Sequence, residues 1–307
     1  MSRYIIRRIL WFIPVLVALT IFTFVLVRVI PGGPFDRVGD RTLPPEIVAN
    51  LEAKYNLNKP VWQQYLDYMW NLIQLDLGPS FSYRTRTVND IIAQSLPVSA
   101  QLGVMSIALG VIIGIPAGCL AALKHNTWID HTSTFIAILG YSIPSLVMGP
   151  VLIWIFALKL GWFPVARWEG PMYWVLPVIT LGVGLSAGIA RLTRGSLLQV
   201  LQEDYIRTAR AKGLRERVVV VGHALKNSLI PVVTVLGPMF AAVVTGTFVV
   251  EQIFGIPGLG KHFVTSIGNR DYPVILGTTL LYAVLLVVAN LVVDITYAWL
   301  DPRIRYD

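Results

Sequence analysis

The run HTSTFIAILGYSIPSLVMGPVLIWIFAL, residues 131–158, holds 28 consecutive positions without an Asp, Glu, Lys or Arg. About 20 apolar residues in a helix cross the hydrocarbon of a bilayer, so this run is long enough to span one. Working outward, GVMSIALGVIIGIPAGCLAAL at 103–123 is equally free of charge. Over the whole chain 14% of residues are charged and 55% hydrophobic, where soluble domains carry roughly 25% charge. Six runs of this kind are present: 9–30, 97–123, 132–158, 173–190, 230–250 and 274–300. None alternates apolar and polar residues as a barrel strand must. The expected fold class is an all-α integral membrane protein with six transmembrane helices. Arg3, Arg7 and Arg8 precede the first run as in a signal peptide. Its apolar core is too long for one, and VIPGGPFD offers no small-residue cleavage site, so it reads as an uncleaved anchor.

Lysine and arginine near span ends set orientation, because cytoplasmic loops retain them. With both termini cytoplasmic, the inner segments hold fourteen basic residues, including Arg3, Arg7, Arg8, Lys124, Arg191, Arg194, Lys226, Arg303 and Arg305, against eleven outside. Seven acids lie inside and ten outside, leaving +7 within and +1 without of the +8 total. The basic balance is thus a topology signal, and it speaks against nucleic acid as a partner.

This orientation places EDYIRTARAKGLRERVVVVGHALKNSLIP, residues 203–231, in the cytoplasm between the fourth and fifth spans. Leu198, Leu201, Tyr205 and Ala209 recur at spacings of three and four, which sets them on one helical face. Gly213 then stops that helix just past a basic last turn. A second helix is expected from Glu216, with Val218, Val221, Leu225 and Leu229 on one face, until Pro231 opens the next span. Two amphipathic helices bent at a glycine suit either the membrane surface or a groove on a partner, and periodicity does not separate these readings.

YIRTARAKGL (205–214) followed by HALKNSLIP (223–231) resembles the cytoplasmic loop signature of membrane subunits of ATP-binding cassette importers, in the form found in peptide permeases. The general signature is Glu-Ala-Ala, three residues, glycine, and a later proline. Here Arg207, Thr208 and Ala209 stand at the Glu-Ala-Ala positions, Gly213 is the glycine and Pro231 closes the motif. One alanine and the glycine match literally, and the longer glycine-to-proline distance is a mark of the peptide branch. The stretches at 41–65, LGPSFSY (77–83), VVEQIFGIPGLG (249–260), NRDYP (269–273) and DPRIRY (301–306) resemble the first of the two permeases of an oligopeptide importer, so the likeness covers essentially the whole chain.

That resemblance implies a type I ABC importer permease fold in the bacterial cytoplasmic membrane. It implies a second homologous permease, two cytoplasmic ATPase subunits that bind ATP and Mg, and an extracytoplasmic peptide-binding protein that delivers peptide. It also implies that the loop is a coupling helix seated in a cleft of an ATPase, a role carried to Tyr205, Arg207, Thr208, Ala209, Arg210, Lys212 and Gly213. The chain itself is then no enzyme and binds no cofactor. The organisation expected is a tail and first span at 1–30, an external segment at 31–95, a transmembrane core at 96–300 with its coupling loop at 194–229, and a cytoplasmic tail at 301–307. Dipeptides, glutathione or nickel chelates are alternative cargoes, and a stand-alone secondary transporter, a channel or a nonenzymatic receptor is the alternative from another class.

Other motifs carry less chemistry. GIPGLGKH (255–262) has the glycine and lysine spacing of a phosphate loop, yet His262 replaces the magnesium-binding hydroxyl, and the segment follows a transmembrane helix on the outer side. A turn-rich external re-entry suits it better. His125, His131, His223 and His262 form no metal-binding pair backed by carboxylates. Cys119 is alone and reads as a packed thiol. Arg28, Arg191 and Asp294 lie near span ends, where snorkelling is cheap, so no proton path appears. Pro116, Pro144, Pro150 and Pro177 should bend their helices, and Gly184 and Gly188 make a small-xxx-small pair for close approach. Outside, Pro45, Ile47, Leu51 and Tyr55 indicate one short helix and Trp62, Leu66, Met69, Trp70 and Ile73 a second, as a cap on the bundle or as a docking surface.

Overall fold

The structure is a computed structural model that describes residues 2–300 except 30, 31, 36, 39, 40, 43 and 84. The tail at 301–307, with Arg303 and Arg305, lies outside the described residues. The chain opens with α1 (Ser2–Val29), a two-stranded hairpin of β1 (Arg37–Val38) and β2 (Arg41–Thr42), and two short helices, α2 (Pro45–Lys54) and α3 (Val61–Ile73). Both short helices stand where the apolar spacing and Pro45 put them.

Helix α4 (Val88–Leu123) starts at a capping box in which the Asp90 N–H donates to Thr87 Oγ1 at 3.1 Å and the Thr87 N–H to Asp90 Oδ2 at 2.9 Å. Its 36 residues make it about 54 Å long, and it absorbs Pro97, the expected start of the second span. The uncharged run that began the sequence reading is broken. Helix α5 (Trp128–Ser142) turns through 97° into α6 (Ser145–Leu152), which continues as a π-helical turn to Lys159. The cause is Pro144, which precedes α6 and removes a backbone donor where α5 would continue. The described chain therefore holds five helices long and apolar enough to cross a membrane, and six when the bent pair counts as one.

Helix α7 (Pro171–Val200) packs along α4 in the most extensive contact of the fold. After the segment that follows α7 come α11 (Ile230–Gly246), α12 (Phe248–Ile253), α13 (Leu259–Asn269) and α14 (Tyr272–Leu300). Between α7 and α11 lie α8 (Asp204–Ala211), α9 (Glu216–Val218), a π turn over Val219–Ala224 and α10 (Leu225–Ser228). Helix α11 packs on α14 and α4, and α1 packs on α14.

The close approach of α4 to α7 rests on a glycine ladder different from the expected one. A Cβ on Gly114 would stand 2.7 Å from Ser186 O, and one on Gly118 would overlap Ala190 O. Gly110, Gly114 and Gly118 face Ser186, Ile189, Ala190 and Thr193 at four-residue spacing. Gly184 and Gly188 have room instead, since a Cβ there would meet its nearest atom at 4.0 and 3.9 Å. Charges near span ends have partners. Asp294 pairs with Arg8 of α1, Arg28 lies over the Phe24 ring, and Arg191 lies over the Tyr141 ring.

Candidate functional site

Helix α8 is short, with one buried side. Ile206 and Ala209 are buried in a cluster with Ala122 from the end of α4, Leu197 from the end of α7, and Val219 and Ala224 from the π turn. Cys119, Leu198, Val200 and Leu201 pack around that cluster. Tyr205, Arg207, Thr208, Arg210, Lys212 and Gly213 are exposed. The structure thus gathers the seven expected positions on one helix and its cap. It separates Ala209, which faces inward, from the other six, which face out.

Two details of the expected loop are corrected. The helix carrying Leu198, Leu201, Tyr205 and Ala209 is not continuous: α7 ends at Val200 and α8 begins at Asp204. The inward face of α8 is therefore set by Ile206 and Ala209, and Tyr205 points out to receive a hydrogen bond from Asn227 Nδ2 at 2.9 Å. The second helix keeps its place but not its face. Val218 and Val221 are exposed, while Val219, Val220, Ala224 and Ser228 are buried. The π turn over Val219–Ala224 takes more residues per turn than an α-helix, so spacings of three and four cease to mark one face.

The end of α8 shows why a glycine follows it. The Leu214 N–H reaches back to Ala209 O at 3.4 Å and the Gly213 N–H to Arg210 O at 2.9 Å, the paired bonds of a Schellman cap. Gly213 sits at φ +76°, left-handed backbone that costs other residues about 1–2 kcal/mol. No atom lies within 4 Å of where its Cβ would be, so the demand is conformational and the surface in front of it is open. Arg210 crosses the turn to hold Glu216 through two bonds, at 2.7 and 3.2 Å. Those bonds keep the Glu216 carboxyl below its usual range.

Beneath α8 the inner helix ends are clamped. Arg194 on α7 donates to both oxygens of Asp130 at the start of α5, at 2.6 and 2.8 Å, and Asp130 also accepts the Asn126 N–H at 3.0 Å. The Asp130 side chain is 2% exposed. Sequence reasoning left this pair out. The available signal was an acid immediately before one uncharged run, 131–158, and an arginine at the end of the next.

Residues 114–306 match the family described as binding-protein-dependent transport system inner membrane component, and residues 1–103 match its N-terminal family. The oligopeptide transport system permease protein OppB of Escherichia coli is 47% identical over the full length of both chains. The chain belongs to the binding-protein-dependent transport permeases. Among other permeases similar to it, OppB of Haemophilus influenzae is 46% identical over the full length of both chains. The dipeptide permease DppB of Bacillus subtilis is 46% identical over 99% of this chain and 98% of its own. The fold also matches a chain of the MetNI methionine ABC transporter at TM-score 0.57 and 18% identity, over 69% of this permease and 96% of that chain. A chain of an amino acid ABC transporter matches at TM-score 0.53 and 16% identity, over 67% and 92%. The type I ABC importer permease fold expected from the loop signature is the fold observed.

Between α12 and α13, GIPGLGKH is a turn built around an internal carboxyl. Glu251 of α12 is 0% exposed and receives the Ser99 hydroxyl at 2.7 Å and the Lys261 N–H at 2.9 Å. Ser99 Oγ in turn accepts the Leu259 N–H at 2.8 Å. Gly258 and Gly260 lie against the same carboxyl, and a Cβ at Gly258 would overlap it. The first turn of α13 thus directs its free N–H groups at two side chains of its own chain, Ser99 and Glu251. The glycine spacing that resembles a phosphate loop serves to wrap Glu251.

Proposed function

We propose that this chain is the first permease subunit of an ATP-driven importer of oligopeptides in the bacterial cytoplasmic membrane, and that α8 is its coupling helix. The partners in this reading are a second, homologous permease, two cytoplasmic ATPase subunits that bind ATP and Mg, and an extracytoplasmic peptide-binding protein. No cofactor is assigned to this chain. The observation that carries the reading is the division of α8. Its inner side is sunk into the ends of α4 and α7 through Ile206 and Ala209, while Tyr205, Arg207, Thr208, Arg210, Lys212 and Gly213 form one open face. A helix that only rested on lipid would turn its apolar side outward, whereas here that side is buried in protein.

The arrangement supplies a lever. A push on α8 is delivered to α4 and α7 together, because Ala122, Leu197 and the π turn share one apolar cluster with it. The Asp130–Arg194 clamp passes the movement to α5, and the bend at Pro144 leads on to α6. Closure of the ATPases would in this way rearrange the inner ends of the spans and alternate access to the peptide path. Oligopeptides are favoured by the OppB permeases among the relatives, and dipeptides remain the second reading because the Bacillus subtilis DppB is equally similar.

The test is purification of the tagged chain in mild detergent with and without Gly213→Trp, identification of copurifying chains by mass spectrometry, and uptake of labelled peptides of two to five residues. The expected result is recovery of two ATPases and a second permease with the native chain. Only the ATPases are lost from the variant, because position 213 opens on empty space. If the native chain purifies alone after cross-linking, the importer reading fails. If Gly213→Trp retains both ATPases and full uptake, the coupling assignment fails.

A further inference from the structure

The roll of α3 on α1 is fixed by four side chains. Gln64 Oε1 accepts from Arg28 Nη2 at 2.7 Å. The rings of Tyr68 and Tyr65 lie 6.2 and 5.1 Å from that of Phe24. Tyr65 Oη is 3.0 Å, and Met69 Sδ 3.7 Å, from Thr20 Oγ1. At about 100° per residue, Gln64, Tyr68, Tyr65 and Met69 succeed one another around α3 in that order. Their partners meanwhile descend α1 from Arg28 to Thr20, about 12 Å toward the middle of the bilayer. The next positions in the same rotation are Trp62, Ile73, Leu66 and Trp70.

Those four side chains are open, at 66, 71, 57 and 65% exposure respectively. Phe22, Val25, Leu26 and Val29 on the span of α1 are open apolar side chains as well. The rest of the α3 circumference is polar, with Gln63, Gln74, Asp67 and Asn71 opposite the deep contacts. Gln64 holds the element rigid, since its Nε2 donates to Leu57 O and Lys59 O in the turn between α2 and α3.

We propose that α3 is an interfacial anchor lying in the outer leaflet, with Trp62, Leu66, Trp70 and Ile73 among the acyl chains just below the headgroups and Gln63, Asp67, Asn71 and Gln74 in water. The occupant is the phospholipid surface. The ridge points along α1 into the membrane, so a protein arriving from outside meets the polar stripe instead. Tryptophan is the side chain suited to this depth, with an apolar body for the acyl region and an indole N–H for the headgroups. An apolar ridge with a polar stripe opposite is the pattern of helices that lie in the bilayer interface. Bilayer position thereby sets the height of the external segment, through Gln64 and the α2–α3 turn.

The test uses the full-length chain, with any subunits that copurify, in liposomes of phosphatidylethanolamine and phosphatidylglycerol. In a Cys119→Ala background, nitroxide labels are attached at Trp62→Cys, Leu66→Cys, Trp70→Cys and, as a water-facing reference, Asn71→Cys. Electron paramagnetic resonance then measures collision with oxygen, which concentrates in lipid, and with a nickel chelate, which stays in water. The expected result is high oxygen and low nickel accessibility at 62, 66 and 70, with the oxygen-to-nickel ratio several-fold above that at 71. Low accessibility to both reagents at the three ridge positions would mean that another protein chain, such as a second permease, covers them, and would overturn the proposal. High nickel accessibility there would place the ridge in water and overturn it equally.

Discussion

Replacing Glu251 by alanine tests the account of the turn between α12 and α13. The substitution removes the acceptor of the Ser99 hydroxyl and of the Lys261 N–H in a site fully closed to solvent. A buried donor left without a partner costs about 1–3 kcal/mol, so the two together cost about 4 kcal/mol before lost packing is counted. For a chain of this size that corresponds to a fall of roughly 8 °C in the unfolding midpoint. Glu251→Gln keeps the shape and one carbonyl acceptor but turns an amide NH2 toward the other donor, so it should fall about half as far. The assay is thermal unfolding of the purified chain in detergent, followed by tryptophan fluorescence. Gly258→Ala supplies a cross-check, because Gly258 has φ −95°, which any residue adopts, and the three atoms nearest its added Cβ all belong to the Glu251 carboxyl, which it would overlap. Its cost should therefore shrink in the Glu251→Ala background, a coupling that a double-mutant cycle reads directly. A midpoint for Glu251→Ala within about 2 °C of the native chain, or strictly additive costs with Gly258→Ala, would refute the reasoning.

Arg194→Ala should destabilise the inner end by about 3–5 kcal/mol, because it leaves the Asp130 carboxylate buried without its bidentate partner, and Asp130→Asn in that background should recover part of the loss, read by the same unfolding assay. Gly118→Ala should cost about 1–3 kcal/mol by forcing α4 off Ala190, while Gly184→Ala, with room around it, should be neutral within about 0.5 kcal/mol. His262 gives a pH dependence. Burial, with Lys261 and Arg86 nearby, holds its imidazole below the usual value, and its Nδ1 is buried without a partner among the described residues. The unfolded chain takes up a proton near pH 6.5 that the folded chain refuses, so this contribution is complete above about pH 6.5 and is lost as pH falls below it. Unfolding midpoints measured between about pH 7.5 and 5.5 should fall for the native chain and fall less for His262→Phe.

Composition and the distribution of charge determined by themselves that this is a six-run helical membrane protein with its basic loops on one side, because a bilayer leaves an uncharged stretch of about 20 residues little other use. The loop signature determined the family, since Gly213 is demanded by a backbone conformation that is local to the chain and legible from its residues. The short helices α2 and α3 were legible for the same reason, as Pro45 and the apolar spacing act within one helix.

What the tertiary structure decided was every choice between equivalent apolar or small residues. Gly110, Gly114 and Gly118 look no different in sequence from Gly184 and Gly188, and only the placement of α7 against α4 shows which set is crowded. Ile206 rather than Tyr205 turns inward because α7 stops at Val200, a break carrying neither glycine nor proline. Asp130 and Arg194 are 64 positions apart, and Ser99 and Glu251 are 152 apart. Their pairing depends on helices that meet only after folding, and burial then obliges each charged or polar group to find the other. The same holds for α3, whose apolar arc was visible in the sequence. Which half α1 would cover and which half would stay open was fixed by the contacts of Gln64, Tyr65, Tyr68 and Met69.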